Sequence, residues 1–224
     1  PKGSTGNRSY TSNFADETAP TVTFGTNGNT TYAKSQSTTV TVTDSGSGVN
    51  TSSLKYQWTQ STTAPAESTF STTFTSGKAI TKNTGTGSNW YLWILAKDNA
   101  GNKTIKRSNA FYLDNTAPTV TQTGTTTTAG VSTAKNQRVL GLTDNESGVN
   151  YWAVTTTTTA PTSTSSTNTT KSSTTNTWFP VSVSKSVGVF FTPNSEGTYY
   201  IWVKDVAGNG ATTYAGSFTV KPAN

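Results

Sequence analysis

Short runs of alternating apolar and polar residues organise this chain. Val40 and Val42 stand between threonines, Leu54, Tyr56 and Trp58 alternate with Lys55, Gln57 and Thr59, and Trp90, Leu92, Ile94 and Ala96 share one side of the longest run. A period of two places successive side chains on opposite faces of a strand, so these sets are expected to meet in a core. In the later half the matching positions are Val139, with Leu140 as a further candidate, then Trp152 and Val154, then Tyr199, Ile201 and Val203, with Phe218 and Val220 closing as Phe111 and Leu113 do. Each half predicts a sandwich of about seven short strands. Composition agrees: 52 Thr and 27 Ser among 224 residues favour strands and turns over helices.

The two halves are copies. Asp16-Glu17-Thr18-Ala19-Pro20-Thr21-Val22-Thr23 returns as Asp114-Asn115-Thr116-Ala117-Pro118-Thr119-Val120-Thr121. Thr43-Asp44 with Ser47-Gly48-Val49-Asn50 returns as Thr143-Asp144 with Ser147-Gly148-Val149-Asn150. Thr62-Thr63-Ala64-Pro65 returns as Thr158-Thr159-Ala160-Pro161, and Lys97-Asp98-Asn99-Ala100-Gly101-Asn102 as Lys204-Asp205-Val206-Ala207-Gly208-Asn209. Four matches in one order, offset by about a hundred residues, predict two tandem domains. Their expected bounds are 16–114 and 115–224, with 1–15 as an extension or linker. The Asp-x-Ala-Gly-Asn segment is expected to turn the chain into the last strand, with Gly supplying a positive φ.

These motifs resemble bacterial Ig-like repeats of large surface and secreted proteins. The likeness rests on Asp-x-Thr-Ala-Pro-Thr-Val, Thr-Asp-x-x-Ser-Gly-Val, the Tyr/Trp-rich strand entering Lys-Asp-x-Ala-Gly-Asn, and the following Phe-x-Leu-Asp, and it covers residues 16 to 220. It implies an all-β chain of two tandem immunoglobulin-like antiparallel β-sandwiches. It also implies an extracellular place, on the bacterial surface or secreted, in a stalk, adhesin or filament, with neighbouring repeats or identical subunits as partners. The alternative is a carbohydrate-binding accessory module of a secreted glycan-active enzyme, with a host or cell-wall glycan as partner. Such repeats are specific for architecture and poor for role.

Residue chemistry narrows the function classes. There is no His and no Cys, which removes disulfides, thiolate nucleophiles, Ser/His/Asp triads and His- or Cys-ligated zinc. Hydrophobic residues are 30% and charged residues 12%, yet 24 aromatics argue for a folded core. The net charge of +6 comes from scattered Lys and Arg, which suits solvated strand faces and edges better than a nucleic-acid stripe. The longest apolar stretch, around Trp90 to Ala96, is far shorter than the roughly 20 residues of a membrane helix, so no membrane insertion of this segment is expected. Without methionine, Pro1 is expected to mark a processed terminus or the edge of a fragment. Glu17, Glu67, Glu146 and Glu196 occupy no recognisable catalytic setting, and no enzyme activity is expected.

Every aspartate falls in one of three motif positions. Sandwich topology should gather Asp16, Asp44 and Asp98 at one pole and Asp114, Asp144 and Asp205 at the equivalent pole of the other copy. With Asn99, Asn102, Asn145, Asn209 and loop carbonyls, each set offers the hard oxygen ligands that Ca²⁺ prefers. Asp and Asn also form ordinary turns through their own backbone amides, which requires no cofactor. Both readings stand at this point.

Alternation directs Tyr91, Trp93 and Leu95 away from the first core, and Tyr200 and Trp202 away from the second. Tyr91, Trp93, Tyr200 and Trp202 are therefore candidates for subunit contact or sugar stacking, unless the chain's own loops cover them. The runs Thr125 to Thr128, Thr155 to Thr159 and Ser163 to Thr177 are poor in apolar residues, and the last is expected to be a long exposed loop or loose edge strands. Asn7, Asn29, Asn50, Asn102, Asn145 and Asn168 match the N-glycosylation pattern.

Overall fold

A computed structural model describes residues 15–123 and 137–220. The run Thr125 to Thr128 and the acceptor pattern at Asn7 lie outside the described residues, as does all but the last residue of the expected 1–15 extension. In chain order the first strands are β1 (Thr21–Phe24), β2 (Asn29–Ala33), β3 (Gln36–Thr43), β4 (Lys55–Thr59), β5 (Thr72–Thr73), β6 (Lys78–Lys82), β7 (Gly87–Lys97), β8 (Lys103–Arg107) and β9 (Phe111–Leu113). They are followed by β10 (Thr119–Thr123), β11 (Arg138–Thr143), β12 (Val149–Thr155), β13 (Ser163–Thr164), β14 (Lys171–Ser172), β15 (Thr177–Ser184), β16 (Ser186–Phe191), β17 (Gly197–Asp205) and β18 (Gly216–Val220). Two single 3₁₀ turns, Thr51–Ser53 and Glu67–Thr69, are the helical elements among the described residues. The chain is all-β, built as Ig-like sandwiches of largely antiparallel sheets.

Two compact units divide the chain. Among the described residues, one contains 15–25, 38–80 and 92–108; the other contains 26–37, 81–91, 109–123 and 137–220. The bounds read from sequence mark repeated motifs, a different property from these interleaved units.

In the first unit β1 pairs antiparallel with β3, from Thr21↔Thr43 to Phe24↔Val40. On the opposing sheet β7 pairs with β8 from Trp93↔Arg107 to Lys97↔Lys103. The eight residues of β3 alternate buried and exposed without a break. That alternation delivers Val40 and Val42 to a core shared with Val22, Phe24, Ile80, Leu54, Leu92, Ile94 and Ala96, against which Tyr56 and Trp58 pack. Trp90, expected in the same core, instead lies half-buried under Lys82, whose Nζ is 3.8 Å from the ring centroid.

The second unit carries a four-stranded sheet, β10-β11-β16-β14, and a five-stranded sheet, β13-β15-β12-β17-β18. Its core joins Leu140, Leu142, Trp152, Val154, Phe191, Tyr199, Ile201, Val203, Phe218 and Val220. Val139, expected in this core, is corrected: pairing of β11 with β16 sets Leu140 against Val189 and fully buries it, while Val139 turns outward and is half-buried. Of the two readings of the Ser163 to Thr177 segment, edge strands hold. The segment contributes β13, parallel to β15, and β14, parallel to β16.

Candidate functional site

Each copy gathers its aspartates as the motif order predicts. Carboxylate oxygens of Asp16, Asp44 and Asp98 lie within 4.8 Å of one another, as do those of Asp114, Asp144 and Asp205. The first of each set precedes the first strand of its copy, the second follows β3 or β11, and the third directly follows β7 or ends β17.

The same bonds hold both clusters. Thr18 N donates to Asp16 Oδ1 at 3.0 Å and Ser47 N to its Oδ2 at 2.7 Å. Correspondingly, Thr116 N donates to Asp114 Oδ1 at 3.0 Å and Ser147 N to Oδ2 at 3.1 Å. Gly48 N reaches Asp44 Oδ2 at 2.7 Å, and Gly148 N reaches Asp144 Oδ2 at 2.5 Å. Asn102 gives its amide N–H to Asp98 Oδ1 (2.8 Å) and its Nδ2 both to Asp98 Oδ2 (2.7 Å) and to the Asp16 carbonyl (2.7 Å). Asn209 repeats this with Asp205 (2.8 Å twice) and the Asp114 carbonyl (3.0 Å). Three loops distant in sequence are thereby tied by charge-assisted hydrogen bonds, which are roughly twice as strong as neutral ones.

Asn102 and Asn209 are the central connectors, and Ser47 and Ser147 the next, since their hydroxyls accept from Ala100 N and Ala207 N. The sequence offers the asparagines as additional oxygen ligands or as local turn formers, and neither reading includes a tie between distant loops. The asparagines' occurrence at one position of both copies was the available signal. With its side-chain amide bonded twice, Asn102 has no free nitrogen for a glycan in the folded state.

Electrostatically the two clusters differ. Asp16 is held below the usual carboxylate range, chiefly by the backbone amides of Ser47 and Thr18. Asp144 and Asp205 are pushed above it, first by burial and then by the charge of Asp114, with the Asp144 charge adding at Asp205. All three aspartates of the second set are buried, against one of three in the first. Burial with mutual repulsion disfavours the charged state, and an oxygen-preferring divalent cation would relieve both. The donor set fits such an ion: the carboxylate oxygens lie within 4.8 Å of one another, roughly twice a calcium–oxygen bond and so able to face one ion, with small clefts of about 200 Å³ beside Asp44 and 180 Å³ beside Asp144, lined at equivalent positions.

The four aromatic candidates are not alike. Trp93 and Trp202 do turn from the inter-sheet cores, but they are only 6% and 1% exposed. The chain itself covers them: Trp93 Nε1 donates to the Ser61 carbonyl at 3.2 Å, and Trp202 Nε1 to Thr155 Oγ1 at 2.8 Å. Trp202 packs with Ala153 and Trp178 in a separate apolar cluster. The expectation of an open tryptophan platform is therefore corrected, because a ring whose face is buried offers nothing to a sugar or subunit. Tyr91 and Tyr200 are half-buried, and Tyr200 meets the more exposed Tyr214 edge-on, with centroids 4.9 Å apart.

Glu67, one of the glutamates considered for catalysis, is occupied by Lys97 and by Lys103, whose Nζ is at 2.9 Å. These partners lower its pKa to about 2. A proton donor at neutral pH needs the opposite shift.

No protein-family model matches the chain, and no curated protein does. Among solved structures, the fibronectin(III)-like modules of Clostridium thermocellum CbhA are similar over 91% of this chain and 93% of theirs, at 12% identity and a TM-score of 0.31. At that score the likeness carries no argument, and the fold assignment rests on the sheets themselves.

Proposed function

We propose that the chain is a non-catalytic extracellular module whose two Ig-like copies form part of a bacterial surface stalk, adhesin or filament. The observation that carries this reading is the duplicated aspartate–asparagine tie. Its polar groups are committed to fixing loops, the task of a spacer that must hold its shape. One cleft, of about 390 Å³, is lined by Asn27, Gly28, Asn29, Thr30, Asn109 and Ala110, none of them a carboxylate or a lysine. Partners would be neighbouring repeats or identical subunits.

The glycan-binding alternative keeps Tyr91, Tyr200 and the exposed Tyr214 as its surface, having lost both tryptophans to burial. Sedimentation of the purified chain with insoluble polysaccharides separates the two readings. The structural reading expects the chain to stay in the supernatant with every polysaccharide, whereas retention abolished by Tyr200→Ala with Tyr214→Ala would establish the alternative.

Ca²⁺ belongs to the proposal as the ion the two triads would take, with the buried second triad gaining most. Calcium at a hundredfold excess over its Kd is expected to add about 2.7 kcal/mol to the stability of the chain relative to chelator. Identical unfolding curves in calcium and chelator would leave the aspartates as turn locks alone.

A further inference from the structure

We infer that the Thr/Ser-rich segment from Ser163 to Ser172 is an edge guard, a strap that occupies one side of each sheet of the second unit, along β15 and β16, and keeps those sides from pairing with another chain. An unpaired strand edge presents a row of N–H and C=O groups ready to template a further strand. Here that row is filled from within. Ser163 and Thr164 pair with Thr177 and Trp178, and Ser165 N continues to the Trp178 carbonyl at 2.8 Å. Thr169 N then donates to the Pro180 carbonyl at 3.1 Å, and Trp152 Nε1 fixes the Thr169 carbonyl at 2.8 Å. Crossing to the other sheet, the strap pairs Lys171 and Ser172 with Phe190 and Phe191, while Phe190 N donates to the Thr170 carbonyl at 2.7 Å and Thr192 N to the Ser172 carbonyl at 2.9 Å.

Two independent features fit protection rather than mere covering. Pro180 interrupts β15 at the point where the strap bonds it. Within a strand a residue's N–H and C=O point to the same side, and the Pro180 carbonyl faces the strap, so the donor missing from this residue is missing from the edge. The strap is also almost free of apolar side chains, so it can satisfy an edge through its backbone without offering a surface of its own. β15 and β16 between them carry Trp178, Phe179, Val181, Val183, Val187, Val189, Phe190 and Phe191, the high-β-propensity composition that makes a bare edge hazardous.

The test is the full chain carrying Ser165→Pro and Thr169→Pro, which removes the two N–H donors to β15. Trypsin cleavage after Lys171, inside the strap, reports its release, and light scattering reports mass. Cleavage is expected to become about tenfold faster. The weight-average mass is expected to rise at least about twofold with concentration, while the parent chain stays monomeric. Faster cleavage of a chain that remains monomeric overturns the guard, and so does unchanged cleavage. Should the double variant lose its near-ultraviolet tryptophan signal, Ser165→Pro alone is read by the same two assays and the same criteria.

Discussion

Replacing Trp202 by alanine is expected to cost about 3–5 kcal/mol of stability. The ring is 1% exposed, rests against Ala153 and Trp178, and satisfies its only donor on Thr155 Oγ1. Truncation removes that packing, leaves a cavity and takes away the indole donor from Thr155 Oγ1, whose own proton stays on the Thr157 carbonyl. A shift of the urea midpoint with an unchanged m-value measures the loss. Had the ring been an exposed contact surface, the same substitution would fall within about 0.5 kcal/mol of neutral. The stability measurement therefore tests the burial directly, before any ligand is sought.

Gly210→Ala is expected to be nearly as damaging, at about 3 kcal/mol. Gly210 has φ +78°, and a Cβ there would stand 2.1 Å from the Val203 carbonyl oxygen, a backbone atom with little freedom to retreat. It directly follows Asn209, whose amide and side chain hold Asp205 and the Asp114 carbonyl, so displacement at 210 loosens the whole tie. Gly208→Ala is the control: its φ is +87°, but nothing lies within 4 Å of an added Cβ, and about 1 kcal/mol of backbone strain is all it should show. Faster hydrogen exchange of the Asn209 amide in Gly210→Ala, with little change in Gly208→Ala, would locate the damage in the tie. Equal effects of the two substitutions would refute it.

How far the sequence carries can be judged from particular residues. The aspartate clusters were legible because three motif positions recur in both copies, and an Ig-like order of strands brings those loops to one end. The direction of Trp93 and Trp202 was legible too, since alternation alone sends them away from the inter-sheet cores. Their burial was not, because it depends on where the loop at Ser61 comes to rest and on how Trp178 of β15 and Thr155 at the end of β12 lie against Trp202. For Val139 and Leu140, side-by-side apolar residues give no phase, and only pairing with Val189 and Phe190 chooses one. Composition marked Ser163 to Thr177 as an exposed loop or loose edge strands, without choosing between them. Its strands form through backbone hydrogen bonds to existing edges, for which side-chain pattern gives no signal.

The duplicated tie has a consequence for where such a module can work. Small exported domains commonly rely on covalent sulfur staples, which thiol reductants open and oxidants form. In this chain the loops are instead gathered by amides donating to carboxylates, a linkage that exchanges no electrons. Its shape should thus be indifferent to the redox state of its surroundings, alike in an anaerobic niche and in air.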